Sequence, residues 1–287
     1  MMVARGAPAD RPALELEAKA QAVLAAFRRA GPTLVAFSGG VDSAVLAALA
    51  HEALSDRMLA VTADSETIFP GEVDDARAIA RARGWRHLIV RRSELRDPAF
   101  AANPDDRCFY CKDDLYEMLN EVAQARGFSA VADGTNASDL AGHRPGFRAV
   151  RRRGVMSPLV DAGFTKADVR GLARVYGLPN SEKPALACLS SRFPQGQLIT
   201  LEGLDRVAQA EAAVRRALGV ELVRVRDVDG VARVEVSPEC VMEAVARGAD
   251  LTRTLLSLGF RAALVEPEGY RVGGASPGSA RYGSDVR

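Results

Sequence analysis

One stretch constrains this chain more than any other: Val35-Ala36-Phe37-Ser38-Gly39-Gly40-Val41-Asp42-Ser43. Leu34 to Phe37 is a short apolar run of the kind that makes a buried parallel strand. It stops at Ser38-Gly39-Gly40, and a helical pattern follows with Val45, Leu46 and Leu49 on one face. Strand, glycine turn and helix N-terminus together offer unpaired backbone N–H groups and a positive dipole end to an anion. Gly39 and Gly40 let a phosphate approach without a Cβ in the way. Ser38 and Ser43 add hydroxyl donors, but a carboxylate at Asp42 would repel phosphate. That conflict disappears if Asp42 holds a Mg²⁺ that bridges to the phosphates. The common P-loop is excluded, because it needs a Lys after its last glycine and the chain contains no Gly-Lys pair. The plain alternative, a glycine turn before a serine-capped helix, would need every position from Ser38 to Ser43 to coincide by chance.

The rest of the chain supplies a sheet to carry this loop. Leu14 to Arg29 reads as an amphipathic helix ending before Gly31-Pro32. Strands are expected at Met58 to Ala63, His87 to Val90 and Ala130 to Asp133, with helices at Gly71 to Gly84, Phe109 to Arg126 and Thr165 to Tyr176. Thr165 and Asp168 stand as a capping box. This alternation predicts an α/β fold, a parallel sheet flanked by helices. Ligands in such sheets sit at the carboxyl ends of strands, the edge where Ser38, Asp64 and Gly134 would lie. After Pro194 the pattern changes. A long helix at Thr200 to Leu218 leads to strands at Glu221 to Val228 and Val231 to Val236 across the hairpin turn Asp229-Gly230. A helix capped by Ser237-Pro238 and a strand near Phe260 to Val265 complete a small α+β unit. The expected division is 1–12 disordered, 13–194 the α/β domain, 195–273 the smaller C-terminal α+β domain for substrate or oligomer contacts, and 274–287 a disordered tail. There is no internal repeat.

A net charge of +1 over 287 residues lacks the basic footprint of a dedicated nucleic-acid binder. The basic run Arg148 to Arg153 is local and reads as a solvated strand or loop. No apolar segment approaches transmembrane length, and Met1 to Pro12 lacks the apolar core of a signal peptide, so the expected location is the cytoplasm. Four cysteines in a chain this long do not make a disulfide scaffold; metal ligands, reactive thiols and plain core residues all stay open.

Three constellations carry chemistry. Cys108-Phe109-Tyr110-Cys111 has the spacing of thiolates converging on one metal or cluster. With no second pair, a Cys₄ zinc site is disfavoured. A redox dithiol lacks thioredoxin-like surroundings, and two coincidental cysteines at a helix start remain an alternative. Ala187-Cys188-Leu189-Ser190-Ser191-Arg192 lies between Pro184 and Pro194 and reads as a constrained loop. There Arg192 and local N–H groups could lower the thiol pKa; a buried structural cysteine would leave the polar Ser-Ser-Arg unexplained. In Val223-Arg224-Val225-Arg226 both arginines fall on one face of a strand and the valines on the core side. Adjacent guanidiniums suit bidentate phosphate recognition, against the alternative of a solvated face paired with acids such as Glu235. Cys240 reads as structural, His51, His87 and His143 show no metal spacing, and Trp85 reads as packing at a strand start.

Ser38-Gly39-Gly40-Val41-Asp42-Ser43 resembles the pyrophosphate loop of ATP pyrophosphatases, which cleave between the α- and β-phosphates of ATP. With Asp133-Gly134-Thr135-Asn136, the Cys188 motif and the paired arginines following in order, the chain from about Leu14 to Gly273 resembles the LarE family. These are ATP-dependent sacrificial sulfur transferases that help build the nickel-pincer cofactor of lactate racemase. The resemblance implies an adenine nucleotide alpha-hydrolase-like fold of the PP-loop ATP pyrophosphatase type. It implies a small-molecule substrate, pyridinium-3,5-biscarboxylic acid mononucleotide, with a carboxylate adenylated and then converted to a thiocarboxylate. ATP would contact Ser38, Gly39, Gly40, Ser43, Gly134 and Thr135, with Mg²⁺ on Asp42. Arg224 and Arg226 would grip the mononucleotide phosphate with Arg192 nearby, and Glu211 is a candidate acid in the same pocket. In the single-cysteine form the residue matching Cys188 gives up its own sulfur. Because Cys108 and Cys111 are also present, the chain resembles the three-cysteine variant, in which Cys108, Cys111 and Cys188 hold a [4Fe-4S] cluster. The resemblance also implies a homo-oligomer. The rivals are a tRNA thiolase, an NAD-synthetase-like amidotransferase, which leaves the three cysteines unexplained, and a non-catalytic nucleotide-binding module, which has less need of Asp42.

Overall fold

A computed structural model describes residues 11–140, 145–184 and 187–271. His143 and most of the two expected loose ends lie outside these residues; Arg11 and Pro12 already belong to the first helix, Arg11–Ala30. The chain packs as two units. One comprises Met1–Asp64, Gly71–Arg91 and Lys112–Ala185, the other Ser65–Pro70, Arg92–Cys111 and Leu186–Arg287. The second thus takes in two earlier segments as well as the C-terminal part, and the helix Arg107–Ala125 begins in it and continues in the first.

The first unit is a parallel sheet of β1 (Thr33–Ala36), β2 (Met58–Asp64), β3 (His87–Arg91) and β4 (Ala130–Ala132), in the order β3-β2-β1-β4. The chain runs outward from β1 through β2 to β3, then returns to place β4 on the other side of β1. That reversal makes β1/β4 the switch point, outside whose carboxyl ends a ligand crevice opens in sheets of this kind. Thr33, Leu34 and Val35 are all buried, which is why β1 reads as a continuous apolar run rather than an alternating one. The helix Val41–Leu54 follows directly. Its alanines 44, 47, 48 and 50 and its Leu46 and Leu49 are buried around most of its circumference. Each fully buried leucine contributes roughly 1.5–3 kcal/mol, so the start of this helix, where the loop lies, is pinned by its length. Trp85 packs edge-on against Phe37 at 5.6 Å, as expected of a residue at a strand start.

The second unit has a three-stranded sheet, β5 (Val223–Val228), β6 (Val231–Val236) and β7 (Ala262–Val265), in the order β5-β6-β7. β5 and β6 form the expected hairpin, and Asp229 and Gly230 both take positive φ, 47° and 82°, as a two-residue hairpin turn demands. β7 runs parallel to β6. The helix Leu201–Leu218, capped at Thr200, supplies Leu204, Val207 and Val214 to a core shared with Val223, Val225 and Val234.

Two local expectations are corrected. The basic run is not a solvated strand or loop: Pro145–Arg152 is a helix that buries Ala149 and Val150, while Arg153 reaches back to Asp113 at 2.6 Å. A helical period, not an alternating one, spaces its apolar residues. Ser237 stands at the N-cap of a single tight turn, Pro238–Cys240, that leads into the helix Val241–Ala246, but its side chain caps no backbone N–H and its hydroxyl donates to Cys240 Sγ at 3.3 Å.

Candidate active site

In the first unit the loop Ser38–Ser43 closes on itself. The Ser38 N–H donates to Ser43 Oγ at 3.2 Å, Ser43 Oγ donates to Gly40 O at 3.0 Å, and the Gly40 N–H donates to Ser38 Oγ at 3.3 Å. Gly39 has φ +76° and sits where an added Cβ would lie 3.1 Å from Ala76 Cβ, so both its conformation and its surroundings require glycine. The buried Asn180 donates to Gly39 O at 2.8 Å and fixes the orientation of that peptide. No side chain caps the helix that begins at Val41. Its first N–H groups therefore form an anion cradle.

The loop after β4 fits against this cradle. A Cβ at Gly134 would stand 2.8 Å from Ser43 N and 2.9 Å from Ser43 Cα, a clash with backbone that cannot yield. The loop is shaped from beneath by buried Asp133, which accepts from Ser157 Oγ at 2.6 Å, Tyr116 OH at 2.7 Å and Thr135 Oγ at 2.5 Å. Burial works to raise the Asp133 pKa, but the Lys112 charge and these hydroxyl donors outweigh it and hold the carboxyl below its usual range. Thr135 thus gives its hydroxyl to Asp133 and helps to shape the loop.

Asp42 does not stand alone. Oδ1 accepts from Asn136 Nδ2 at 3.0 Å and Oδ2 from Lys166 Nζ at 2.5 Å. Lys166 was missed by sequence reasoning, although a signal was present. It is the first residue of the helix Lys166–Val175, just after the Thr165 cap, where a cation opposes the helix dipole unless an anion faces it. A Mg²⁺ carried in by nucleotide phosphates needs only one or two protein carboxylates. Asp42 fits that role if the Lys166 ammonium turns from it to the phosphates.

The second unit gathers the three cysteines expected to act together. Cys108 and Cys111 lie on the first turn of the helix Arg107–Ala125, and Cys188 immediately precedes the turn Leu189–Arg192. Cys108 and Cys188 are exposed, which removes the buried-structural reading of Cys188; Cys111 is partly covered. Burial, Glu94, Cys188 and Cys108 push the Cys111 thiol up to about 12, with Arg92 pulling the other way. Cys111 therefore feels both Cys108 and Cys188 although two distant stretches supply the three thiols. Guanidiniums fix their backbone: both Arg92 Nη atoms donate to Cys111 O at 3.2 Å, and Arg192 Nη1 donates to Ala187 O at 2.9 Å and Cys188 O at 3.3 Å. Among the described residues no three His, Cys, Asp or Glu side chains converge tightly enough for a single ion. An all-thiolate donor set with guanidiniums beside it has the chemistry that suits iron and sulfide.

Arg192 and Glu211, expected among the catalytic groups, are paired with each other and shut from solvent. Arg192 Nε–Glu211 Oε1 is 2.7 Å and Arg192 Nη2–Glu211 Oε2 3.2 Å, with the side chains 1% and 0% exposed. Glu211 also takes Arg215 Nη2 at 2.8 Å and the Val225 N–H at 3.1 Å. It is a satisfied anchor rather than a free acid. Arg224 and Arg226 are not on a solvated face either, each being 5% exposed. Arg226 donates to Glu235 at 2.6 Å and to Ser191 O at 2.9 Å. Arg224 is different: it donates to Val223 O at 2.9 Å, Tyr270 lies against its guanidinium at 5.4 Å, and among the described residues no carboxylate forms an ion pair with it. Burial first, and then the charge of Arg192, pull its pKa down. A buried cation without a carboxylate is costly unless a ligand supplies the anion.

The family model described as asparagine synthase matches residues 16–157, the stretch that carries both loops of the anion cradle. An uncharacterised protein of Synechocystis, slr1717, is 40% identical over 90% of this chain and 97% of its own length. The pyridinium-3,5-bisthiocarboxylic acid mononucleotide synthase of Lactiplantibacillus plantarum is 35% identical over 90% of this chain and 94% of its own length. An uncharacterised protein of Methanocaldococcus jannaschii, MJ0830, is 25% identical over 83% of this chain and 90% of its own. The likeness runs through both units rather than the nucleotide loop alone, and the chain belongs to the LarE family of PP-loop enzymes, which spend ATP to transfer sulfur.

Proposed function

We propose that this enzyme adenylates a carboxylate of pyridinium-3,5-biscarboxylic acid mononucleotide and replaces the activated oxygen with sulfur, for a nickel-pincer cofactor of the lactate racemase type. The observation that carries the reading is the gathering of Cys108, Cys111 and Cys188 in a unit that also buries Arg224 with no ion-paired carboxylate among the described residues.

The first unit handles the nucleotide. The N–H groups at the start of the helix Val41–Leu54, with Ser38 and Ser43, hold the departing pyrophosphate. Asp42 takes the magnesium that arrives with ATP, and Lys166, released from Asp42, adds its charge to the phosphates. A substrate carboxylate oxygen attacks the α-phosphorus, the bond to the β-phosphate bridge breaks, and pyrophosphate leaves. The acyl carbon now carries AMP, a far better leaving group than oxide.

The second unit handles the mononucleotide and the sulfur. Arg224 and Arg226 bind its phosphate as charged fork donors, while the Arg192–Glu211 pair holds the Cys188 loop in place. A [4Fe-4S] cluster on Cys108, Cys111 and Cys188 would supply the transferable sulfide. The Cys188 loop presents a sulfur nucleophile to the acyl carbon; as the carbon–sulfur bond forms, the carbon–oxygen bond to AMP breaks, and a thiocarboxylate and AMP result. The proposal includes a cytoplasmic homo-oligomer; exposed Met242 and Val245 give the C-terminal part apolar surface that a second copy would cover.

The test is an iron and acid-labile sulfide assay on protein purified without oxygen, beside a Cys108→Ala/Cys111→Ala variant, followed by turnover with the mononucleotide and Mg·ATP. Iron that is lost in the variant, with stoichiometric AMP and a product heavier by the exchange of oxygen for sulfur, is expected. If iron is absent and cannot be reconstituted, the sulfur comes from Cys188 itself, and that residue loses the mass of hydrogen sulfide after one turnover. In Arg224→Ala the KM for the mononucleotide should rise about 10- to 100-fold, as loss of hydrogen bonds to a charged group implies, with the KM for ATP unchanged.

A further inference from the structure

We propose that Arg107 is a positioning residue that ties the turn bearing Cys108 and Cys111 to the Cys188 loop and so sets the spacing of the three thiols. The inference rests on the three-thiolate reading above. Arg107 adjoins Cys108 in the chain, yet its Nη1 donates to Ser190 O, two residues past Cys188, at 3.0 Å. The same nitrogen donates to Asn103 Oδ1. Asn103 is itself locked onto the segment that follows Cys188: its Nδ2 donates to Pro194 O at 2.7 Å, and its carbonyl accepts from the Gly196 N–H at 2.8 Å. It is 1% exposed and holds φ at 54°, a left-handed conformation that asparagine tolerates better than most residues. Arg92 and Arg192 fix the backbone of Cys111 and of Cys188. Arg107 reaches from one cysteine stretch to the other.

The physical consequence is one of effective concentration. Two thiols share a helical turn and stay together whatever else happens. The third comes from a distant stretch, and its availability to the same cluster depends on how firmly the loop is held. A planar fork carries two hydrogen bonds in fixed geometry; lysine at the same place offers a point charge on a flexible stem. Outer partners of metal ligands typically change metal retention by about 10- to 100-fold when removed.

The test compares full-length wild type, Arg107→Gln, Arg107→Lys and, as a control on an exposed arginine, Arg253→Gln. In anaerobically reconstituted protein, iron loss to a chelator should be about 10- to 100-fold faster in Arg107→Gln, intermediate in Arg107→Lys and unchanged in the control. In iron-free protein, a short bifunctional thiol reagent should bridge Cys188 to Cys108 or Cys111 in the wild type, and several-fold less in Arg107→Gln. If Arg107→Gln does not fold, Arg107→Lys decides. Wild-type iron retention together with wild-type cross-linking in the variants overturns the proposal. Failure of the wild type to take up iron, with cross-linking still lost in Arg107→Gln, overturns the cluster and leaves the tie standing.

Discussion

Glu211→Ala is the substitution whose outcome the structure fixes most tightly. The carboxylate is wholly buried and receives two bonds from Arg192, one from Arg215 and one from the Val225 N–H on β5. Arg215 is 30% exposed and can turn to water. Arg192 cannot, being 1% exposed, and truncation leaves its guanidinium with carbonyl and hydroxyl acceptors and the face of Phe69 at 4.9 Å. Removing one partner of a buried ion pair costs about 3–5 kcal/mol, chiefly because the other charge is stranded. Removing both charges is a different experiment. In Arg192→Met/Glu211→Leu neither charge of the pair is left stranded by the other, and the double variant should be destabilised by less than the sum of its single changes. Urea unfolding followed by far-UV circular dichroism gives the energies, and hydrogen exchange at the Val225 amide reports the second unit directly. Glu211→Ala should lose about 3–5 kcal/mol and expose that amide. A loss under about 1 kcal/mol, or strict additivity in the double variant, would show that Arg192 is solvated and that the pair does not anchor the Cys188 loop.

Three further outcomes are expected. Gly134→Ala should abolish nucleotide binding, since its Cβ would stand 2.8 Å from Ser43 N and push the two loops apart; isothermal titration with Mg·ATP checks this, and wild-type affinity would refute the close fit. Lys166→Met frees Asp42 Oδ2 from an ammonium at 2.5 Å, so nucleotide-free protein should bind Mn²⁺ several-fold more tightly by electron paramagnetic resonance while the KM for Mg·ATP rises. The sign at Cys111 follows from its raised pKa: a thiol pushed up to about 12 keeps its proton at pH 8, and only the thiolate reacts. Brief alkylation of iron-free protein at pH 8 should therefore label Cys108 and Cys188, both exposed, and spare Cys111 until the pH approaches its pKa. Equal labelling of all three by mass spectrometry would contradict this.

Most of the anion cradle was legible in order along the chain because its parts are local. An apolar run, two glycines and a helical period specify strand, turn and helix without help from elsewhere. Gly134 was readable as part of a motif, but not its reason, since the Cβ it excludes would strike Ser43 in another segment. Lys166 was hidden for the same cause: its partner Asp42 lies across the unit, and only the oddity of a lysine at a helix N-terminus hinted at it. The paired arginines show the limit of period-two reasoning. Spacing put Arg224 and Arg226 on one strand face, yet both faces of β5 are buried. Burial and partners then separate them, Arg226 to Glu235 and Arg224 to no acid among the described residues.

The sequence by itself determined the parallel sheet, the pyrophosphate loop, the hairpin and the three cysteines, because each is a pattern of neighbours whose backbone preferences and hydrophobic period act over a few residues. Only the tertiary structure decided how the cysteines group and which charges are spent. Ser65–Pro70 and Arg92–Cys111 join the C-terminal unit, so Glu94 and Arg92 come to Cys111 and Phe69 to Arg192. Whether a buried ion is an anchor or a binding group depends on the partner that burial brings to it, and that partner lies far along the chain.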